Sequence, residues 1–174
     1  MNQKELESYI YAYGKDLYSF CCSIAYSRQE ADDLYQDTFL KLYEMGENLV
    51  IKKNPKGFLM SISVNLYRNQ KRKFSIHQRI VGMEMSVEEA ADIPSGEKMT
   101  EEKLVEKEEC QILRAEVKRL PDKYRIPILL FYMEELSLED ISKILKLPTG
   151  TIKSRIHRAK KILKQRLEEG FYER

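Results

Sequence analysis

The sequence predicts an all-α protein made of two small helical domains joined by an acidic, flexible linker. Three observations carry this expectation. Gly and Pro number only 7 and 5 in 174 residues, too few for the many tight turns of an all-β fold. Apolar residues recur at spacings of three and four through most of the chain, the signature of amphipathic helices. Charge is segregated: residues 1–79 hold 12 Lys/Arg against 9 Asp/Glu, residues 80–109 hold 3 against 10, and residues 110–174 hold 15 against 9. Two basic blocks around an acidic segment suit two nucleic-acid-facing modules and a tether, although ordinary variation in surface charge gives the same pattern.

The first helix is expected from about Lys4 to Ser27, with Leu6, Ile10, Tyr13, Leu17, Cys21 and Ile24 as its apolar stripe. Tyr9, Tyr11, Tyr18 and Tyr26 widen that stripe as core aromatics, and Cys21 should be buried. A second helix covers Gln29 to Met45, with Ala31, Leu34, Thr38, Leu42 and Met45 inward and Gly46 ending it. Its other face carries Asp33, Gln36, Asp37, Leu40, Lys41 and Glu44. Asn54 caps a third helix that starts at Pro55 and runs to about Lys73, with Phe58, Ile62 and Leu66 on the buried side. Asn65 and Asn69 lie one turn apart, so their amides can act together. Arg68, Lys71, Arg72 and Lys73 crowd its end; they suit the helix dipole, and they equally suit phosphate.

Residues 75–100 lose periodicity, and VEEAADIPSGEKMTEEK has the composition of a linker. A fourth helix resumes near Thr100 with Leu104, Ile112, Ala115 and Leu120. Pro121-Asp122 breaks it, and a fifth helix covers Lys123 to Met133 with Pro127 near its first turn and Arg125 as a surface charge.

Ser137-Leu138-Glu139-Asp140 has the spacing of a capping box, with Asp in place of Glu or Gln. Leu138, Ile141, Ile144 and Leu145 give two turns of amphipathic helix. Lys146-Leu147-Pro148 is the break, and Thr149 or Thr151 caps the last helix. There Ile152, Ile156, Ala159, Leu163 and Leu167 face inward. Lys153 to Arg166 contains seven basic residues and no acidic one, a bias that repels itself unless a polyanion neutralises it. A capped short helix, a tight turn and a basic helix make a DNA-binding helix-turn-helix. Thr149, Thr151, Lys153, Ser154, Arg155, Arg158 and Lys161 are placed to reach bases and phosphates, and Arg can hold guanine by two hydrogen bonds. His157 reads as a surface or packing residue.

At this point two blocks resemble one family, the bacterial RNA polymerase sigma factors of the extracytoplasmic-function group. EADDLYQDTFLKLY (Glu30–Tyr43) with PKGFLMSISVNLYRNQKRK (Pro55–Lys73) is similar to the second conserved sigma region. Leu120–Leu167 is similar to the fourth. The resemblance implies a −10-reading domain at 1–74, an acidic linker at 75–100 that enters the RNA path, and a −35-reading domain at 101–174. It implies that Asp33, Gln36, Asp37, Leu40 and Lys41 bind core RNA polymerase through the clamp helices of its β′ subunit, with the β subunit also a partner. It implies that Asn65 and Asn69 line a pocket for a flipped −10 base while Arg68, Lys71, Arg72 and Lys73 hold phosphates. An anti-sigma factor is a further implied partner. Phe58 stands where the family often has Trp, Asn69 where many members have Asp, and Lys146 where Gly is common in the turn.

Other classes are set aside. No His/Cys metal cluster, nucleophile–base pair or phosphate-cradling Gly loop appears, so no enzyme, metal or cofactor is expected. Three cysteines without framework spacing, no basic-then-apolar leader and no apolar run of the ~18 residues a membrane span needs point to a cytoplasmic protein without membrane insertion. The alternatives are an autonomous helix-turn-helix regulator, or a sigma-like scaffold that sequesters partners. The 33–41 face and the 65–73 strip discriminate, because a stand-alone repressor needs neither.

Overall fold

The computed structural model describes residues 3–45, 54–81 and 101–172, with side chains for 3–45, 54–76 and 109–169. Every element there is helical: α1 (Gln3–Ile24), α2 (Arg28–Glu44), α3 (Pro55–Val81), α4 (Glu101–Lys118), α5 (Asp122–Tyr132), α6 (Leu138–Leu145) and α7 (Thr149–Tyr172). The expected end at Gly46, the Leu104 side chain and the acidic stretch 82–100 lie outside the described residues.

α1, α2 and α3 pack on one another around Leu17, Phe20, Cys21, Ile24, Leu34, Leu42, Leu59 and Met60, each 0–1% exposed. The α1–α2 contact is close, because a Cβ added at Gly14 would stand 3.0 Å from the Tyr35 hydroxyl. Ser27 caps α2 by accepting the Glu30 amide at 3.1 Å, while the Glu30 carboxylate accepts the Tyr26 amide at 2.7 Å. That reciprocal arrangement ends α1 at Ile24 rather than Ser27. Asn54 caps α3 as expected, accepting the Gly57 amide at 2.8 Å.

α5, α6 and α7 form the second unit, with α4 against α7. Ile126, Leu130, Leu136, Ile141, Ile144, Leu145, Ile152 and Ile156 belong to a core continuous with that of α1–α3. Leu120, Ile128, Ala159 and Leu163 make a smaller cluster. The two units are therefore packed together, through α6 on α3 and α5 on α1.

Several expectations change. α3 continues to Val81 instead of stopping at Lys73, because no Gly or Pro interrupts residues 74–81. Of its expected buried side only Ile62 is fully inside, with Phe58 and Leu66 half-buried; Leu59, Ser63, Val64 and Tyr67 are 0–1% exposed, since α2 and α6 cover the helix from two sides. Ile10, Tyr11 and Met45 are 39%, 95% and 41% exposed, so the first turns of α1 and the last of α2 extend past the core. Ala115 is exposed. Pro127 falls in the second turn of α5, inside the helix, where it removes one amide donor. Arg125 is fully buried rather than a surface charge.

The turn between α6 and α7 is built by local chemistry. Ser137 accepts the Asp140 amide at 3.1 Å and donates to the Asp140 carboxylate at 2.9 Å. Lys146 closes α6 in the left-handed region at φ 54° and ψ 47°, its amide bonded to the Ser142 carbonyl. The first bond of α7 runs from the Ile152 amide to the Pro148 carbonyl, so Pro148 occupies the cap position and neither Thr149 nor Thr151 does. Lys146→Gly removes the Cβ that disfavours this backbone and is expected to stabilise the protein by about 0.5–1 kcal/mol in urea denaturation; a loss of stability would show that the Lys stem packs usefully.

Candidate nucleic-acid interface

On α7 the inward residues Ile152, Ile156, Ala159 and Leu163 are 0–7% exposed, which fixes the orientation of the rest. Helical spacing places Thr151, Ser154, Arg155 and Arg158 on one outward strip, with Lys161 next to it. Lys153 stands on the other flank with His157 and Lys160. The candidate −35 set therefore divides into two strips on one basic helix. Thr149, Lys153, Ser154, Arg158 and Lys161 are exposed, and Arg155 and Thr151 half-buried. Other cations of the run serve the fold: Arg166 lies 3.5 Å from Glu116 of α4, and Lys164 3.7 Å from Glu168. The open space over Gly150 leaves the first turn of α7 uncovered.

On α3, Asn65, Arg68, Asn69, Arg72 and Lys73 share one strip by their spacing. Asn65, Asn69, Arg72 and Lys73 are exposed. Two members of the expected set are engaged inside the molecule. Arg68 donates to the Leu145 carbonyl at the end of α6 at 3.4 Å. Burial pushes the Arg68 guanidinium below its ordinary value, and the charge of Arg155 adds to this. Lys71 lies on the Tyr67 side of α3, its ammonium 3.6 Å over the ring of Tyr26.

On α2, Asp33, Gln36, Asp37, Leu40 and Lys41 share the outward strip, with Asp37 the one half-buried member. Leu40 is 57% and the neighbouring Tyr43 49% exposed. Lys41 pairs with Glu44 at 3.0 Å, an exposed contact of small energetic value. An apolar residue held out in water among acidic and amide groups suits a protein partner better than a nucleic acid.

Sequence reasoning missed three polar residues that join the units, the buried Arg125 and Glu134 and the half-buried Lys56. Arg125 of α5 donates to the Ile24 carbonyl at 2.9 Å, the Tyr67 hydroxyl at 2.8 Å and Asp122 at 2.7 Å. Lys56 of α3 bridges Asp16 at 2.9 Å and the buried Glu134 at 3.1 Å. Burial raises the Glu134 carboxyl, opposed by Lys56. No sequence spacing connects these residues; only the packed fold does.

No group of His, Cys, Asp or Glu suited to a metal occurs among the described residues. Burial pushes the Cys21 thiol up to about 12, whereas Cys110 is exposed. At pH 8 a thiol reagent is therefore expected to modify Cys110 in the folded chain and to reach Cys21 only after denaturant is added; rapid native labelling of Cys21, read by peptide mass, would contradict its burial. No described helix is long and apolar enough to cross a membrane.

Comparison with known proteins gives the same two blocks. Residues 10–75 match the family model described as Sigma-70 region 2, and residues 110–163 that described as Sigma-70, region 4. The chain is 30% identical over 161 residues to the ECF RNA polymerase sigma factor SigW of Bacillus subtilis, covering 90% of this chain and 86% of that one. It is 27% identical over 162 residues to SigM of the same organism, covering 91% and 92%. The sigma factor RpoE of Bartonella quintana, solved in complex with the anti-sigma factor NepR, superposes with a TM-score of 0.79 at 26% identity, over 95% of this chain and 98% of that one. These matches span both units and their order, and the chain belongs to the extracytoplasmic-function group of RNA polymerase sigma factors, which direct polymerase to chosen promoters.

Proposed function

We propose that this alternative sigma factor divides its task among three helices. The outward strip of α2, with Asp33, Gln36, Asp37, Leu40 and Lys41, docks on the β′ clamp helices of core RNA polymerase. The α3 residues Asn65, Arg68, Asn69, Lys71, Arg72 and Lys73 hold and read the melted −10 strand. The α7 residues Thr149, Thr151, Lys153, Ser154, Arg155, Arg158 and Lys161 read the −35 duplex, with the Arg155–Arg158 strip as its base-reading edge. The domains are residues 1–74 and 101–174, with 75–100 as the acidic linker and α3 reaching into it. The β subunit completes the polymerase contact. The protein performs no catalytic step, uses no cofactor or metal, and works in the cytoplasm beside the polymerase. An anti-sigma factor controls it, as the co-crystallised relative suggests.

The observation that carries this reading is the character of the three sets. The α2 set forms one strip; the α3 set forms one strip apart from Lys71, which lies over Tyr26; the α7 set occupies two strips of one helix. Only the α2 strip is acidic and part-apolar, while the other two are basic with interspersed amides and hydroxyls. An autonomous helix-turn-helix regulator is disfavoured because residues 10–75 match region 2, which such a regulator does not need.

Gln36→Ala or Asp37→Ala is expected to weaken binding to core polymerase about tenfold, the scale of a contact at the centre of an interface. Binding to −35 DNA should not change. Core affinity equal to wild type in both variants would remove the α2 strip from the proposal.

A further inference from the structure

The outward strip of α3 does not end with its cations. Asn65, Asn69, Arg72 and Ile76 follow one another at steps of four, three and four residues, which keeps them in one row on the helix. All four are exposed, Ile76 by 50%. α3 remains helical to Val81, so the same row next passes through position 79, an arginine in the sequence. An aliphatic residue therefore stands in register with two amides and a guanidinium, inside a basic row.

Single exposed apolar residues are common on protein surfaces. The surroundings set this one apart. Phe74, also exposed, is two residues back and lies on the far side of the helix by its register, so the two do not merge into an apolar patch of the kind a protein partner covers. Arg72 and Lys73 are exposed beside Ile76 and attract a polyanion. The neighbouring Ser75 hydroxyl donates to the Lys71 carbonyl of its own helix at 3.0 Å, which occupies its proton.

The chemistry of the side chain narrows what it meets. An isoleucine has no donor or acceptor for a base edge and no π-face on which a base stacks. The apolar feature that a base edge offers is the 5-methyl group of thymine.

We propose that Ile76 is a specificity-determining residue that packs on the 5-methyl group of one thymine at the end of the −10 element, beyond the bases met by Asn65 and Asn69. This rests on the proposed role of the α3 strip. Ile76 is seven residues from Asn69, about 10 Å along the helix. At about 3.4 Å per nucleotide the thymine lies about three positions from the base at Asn69.

Holoenzyme made from core polymerase and the full chain tests this on the strongest promoter mapped for it in vitro. Each thymine in and beside the −10 element, on either strand, is replaced singly by deoxyuridine, which removes the 5-methyl group alone. Wild type is expected to bind one of these templates about fourfold more weakly, the scale of exposing one buried apolar carbon. Ile76→Ala should bind the unmodified promoter about fourfold more weakly and be indifferent to deoxyuridine at that position. Ile76→Val should keep most of the sensitivity. Asn69→Ala should weaken binding yet remain sensitive there. The contact is overturned if Ile76→Ala responds to every deoxyuridine as wild type does, or if no thymine matters to wild type. A loss in Ile76→Ala that is equal on all templates, as a wedge between bases or a protein contact gives, overturns it as well. If Asn69→Ala and Arg72→Ala both bind −10 DNA like wild type, the failure lies with the role of the α3 strip, and the Ile76 contact falls with it.

Discussion

Arg155→Ala is expected to weaken holoenzyme binding to a promoter carrying the −35 element by about 10- to 100-fold, the loss of one two-hydrogen-bond arginine contact at about 1–3 kcal/mol. Arg155 emerges in the second turn of α7, on the strip with Thr151, Ser154 and Arg158. Its side chain is half-buried. The penalty should fall on one or two base positions and nearly vanish on a template lacking the −35 element, while affinity for core polymerase stays the same. Lys161→Ala should behave differently, lowering affinity for all sequences and reducing the salt slope by about one. Equal loss of DNA and core binding in Arg155→Ala would mean that the substitution disturbs the fold, and the assignment of this strip would fail.

The second large effect concerns the scaffold that aims this helix. Ile152 is 0% exposed at the first turn of α7 and belongs to the core shared with Ile141, Ile144 and Leu145 of α6. Ile152→Ala opens a cavity at the corner of the helix-turn-helix and is expected to cost about 2–5 kcal/mol in urea denaturation. Ile152→Val should cost about 0.5–1.5 kcal/mol. Because the cap, the left-handed Lys146 and the first turn of α7 meet there, the alanine variant should also lose −35 discrimination at temperatures where it remains folded. A cost below about 1 kcal/mol would show that the corner relaxes to fill the space, contrary to the close packing of a protein interior.

How much of this was legible in the sequence depends on how local the causes are. The Ser137 cap of α6 and the break at Lys146–Pro148 were, because they act within a few residues of themselves; the cap of α7 was not, because Pro148 takes the position that Thr149 or Thr151 suggests by residue type. The α2 strip was also legible: its polar members recur at helical spacing opposite Ala31, Leu34 and Leu42. The extension of α3 to Val81 was not, because an exposed helix end needs no apolar period, only the absence of breakers. Arg125 has the sequence setting of a surface charge, because nothing near it in sequence predicts burial. Its Ile24 acceptor is 101 residues away, and the hydroxyl of Tyr67 is 58 away. The same distance hid the Lys56–Glu134 pair. The likeness to sigma regions supplied the roles proposed for Asn65, Asn69 and the α2 strip, which chemistry alone left open between protein, phosphate and solvent.

The polymerase reading is tested most directly by reconstitution. Purified core RNA polymerase with this chain should form a stable complex on gel filtration. It should then initiate transcription on genomic DNA at a subset of sites whose upstream sequences share motifs near −35 and −10 at constant spacing, where core alone initiates without such preference. No stable complex, together with no promoter-dependent transcripts, would contradict the account.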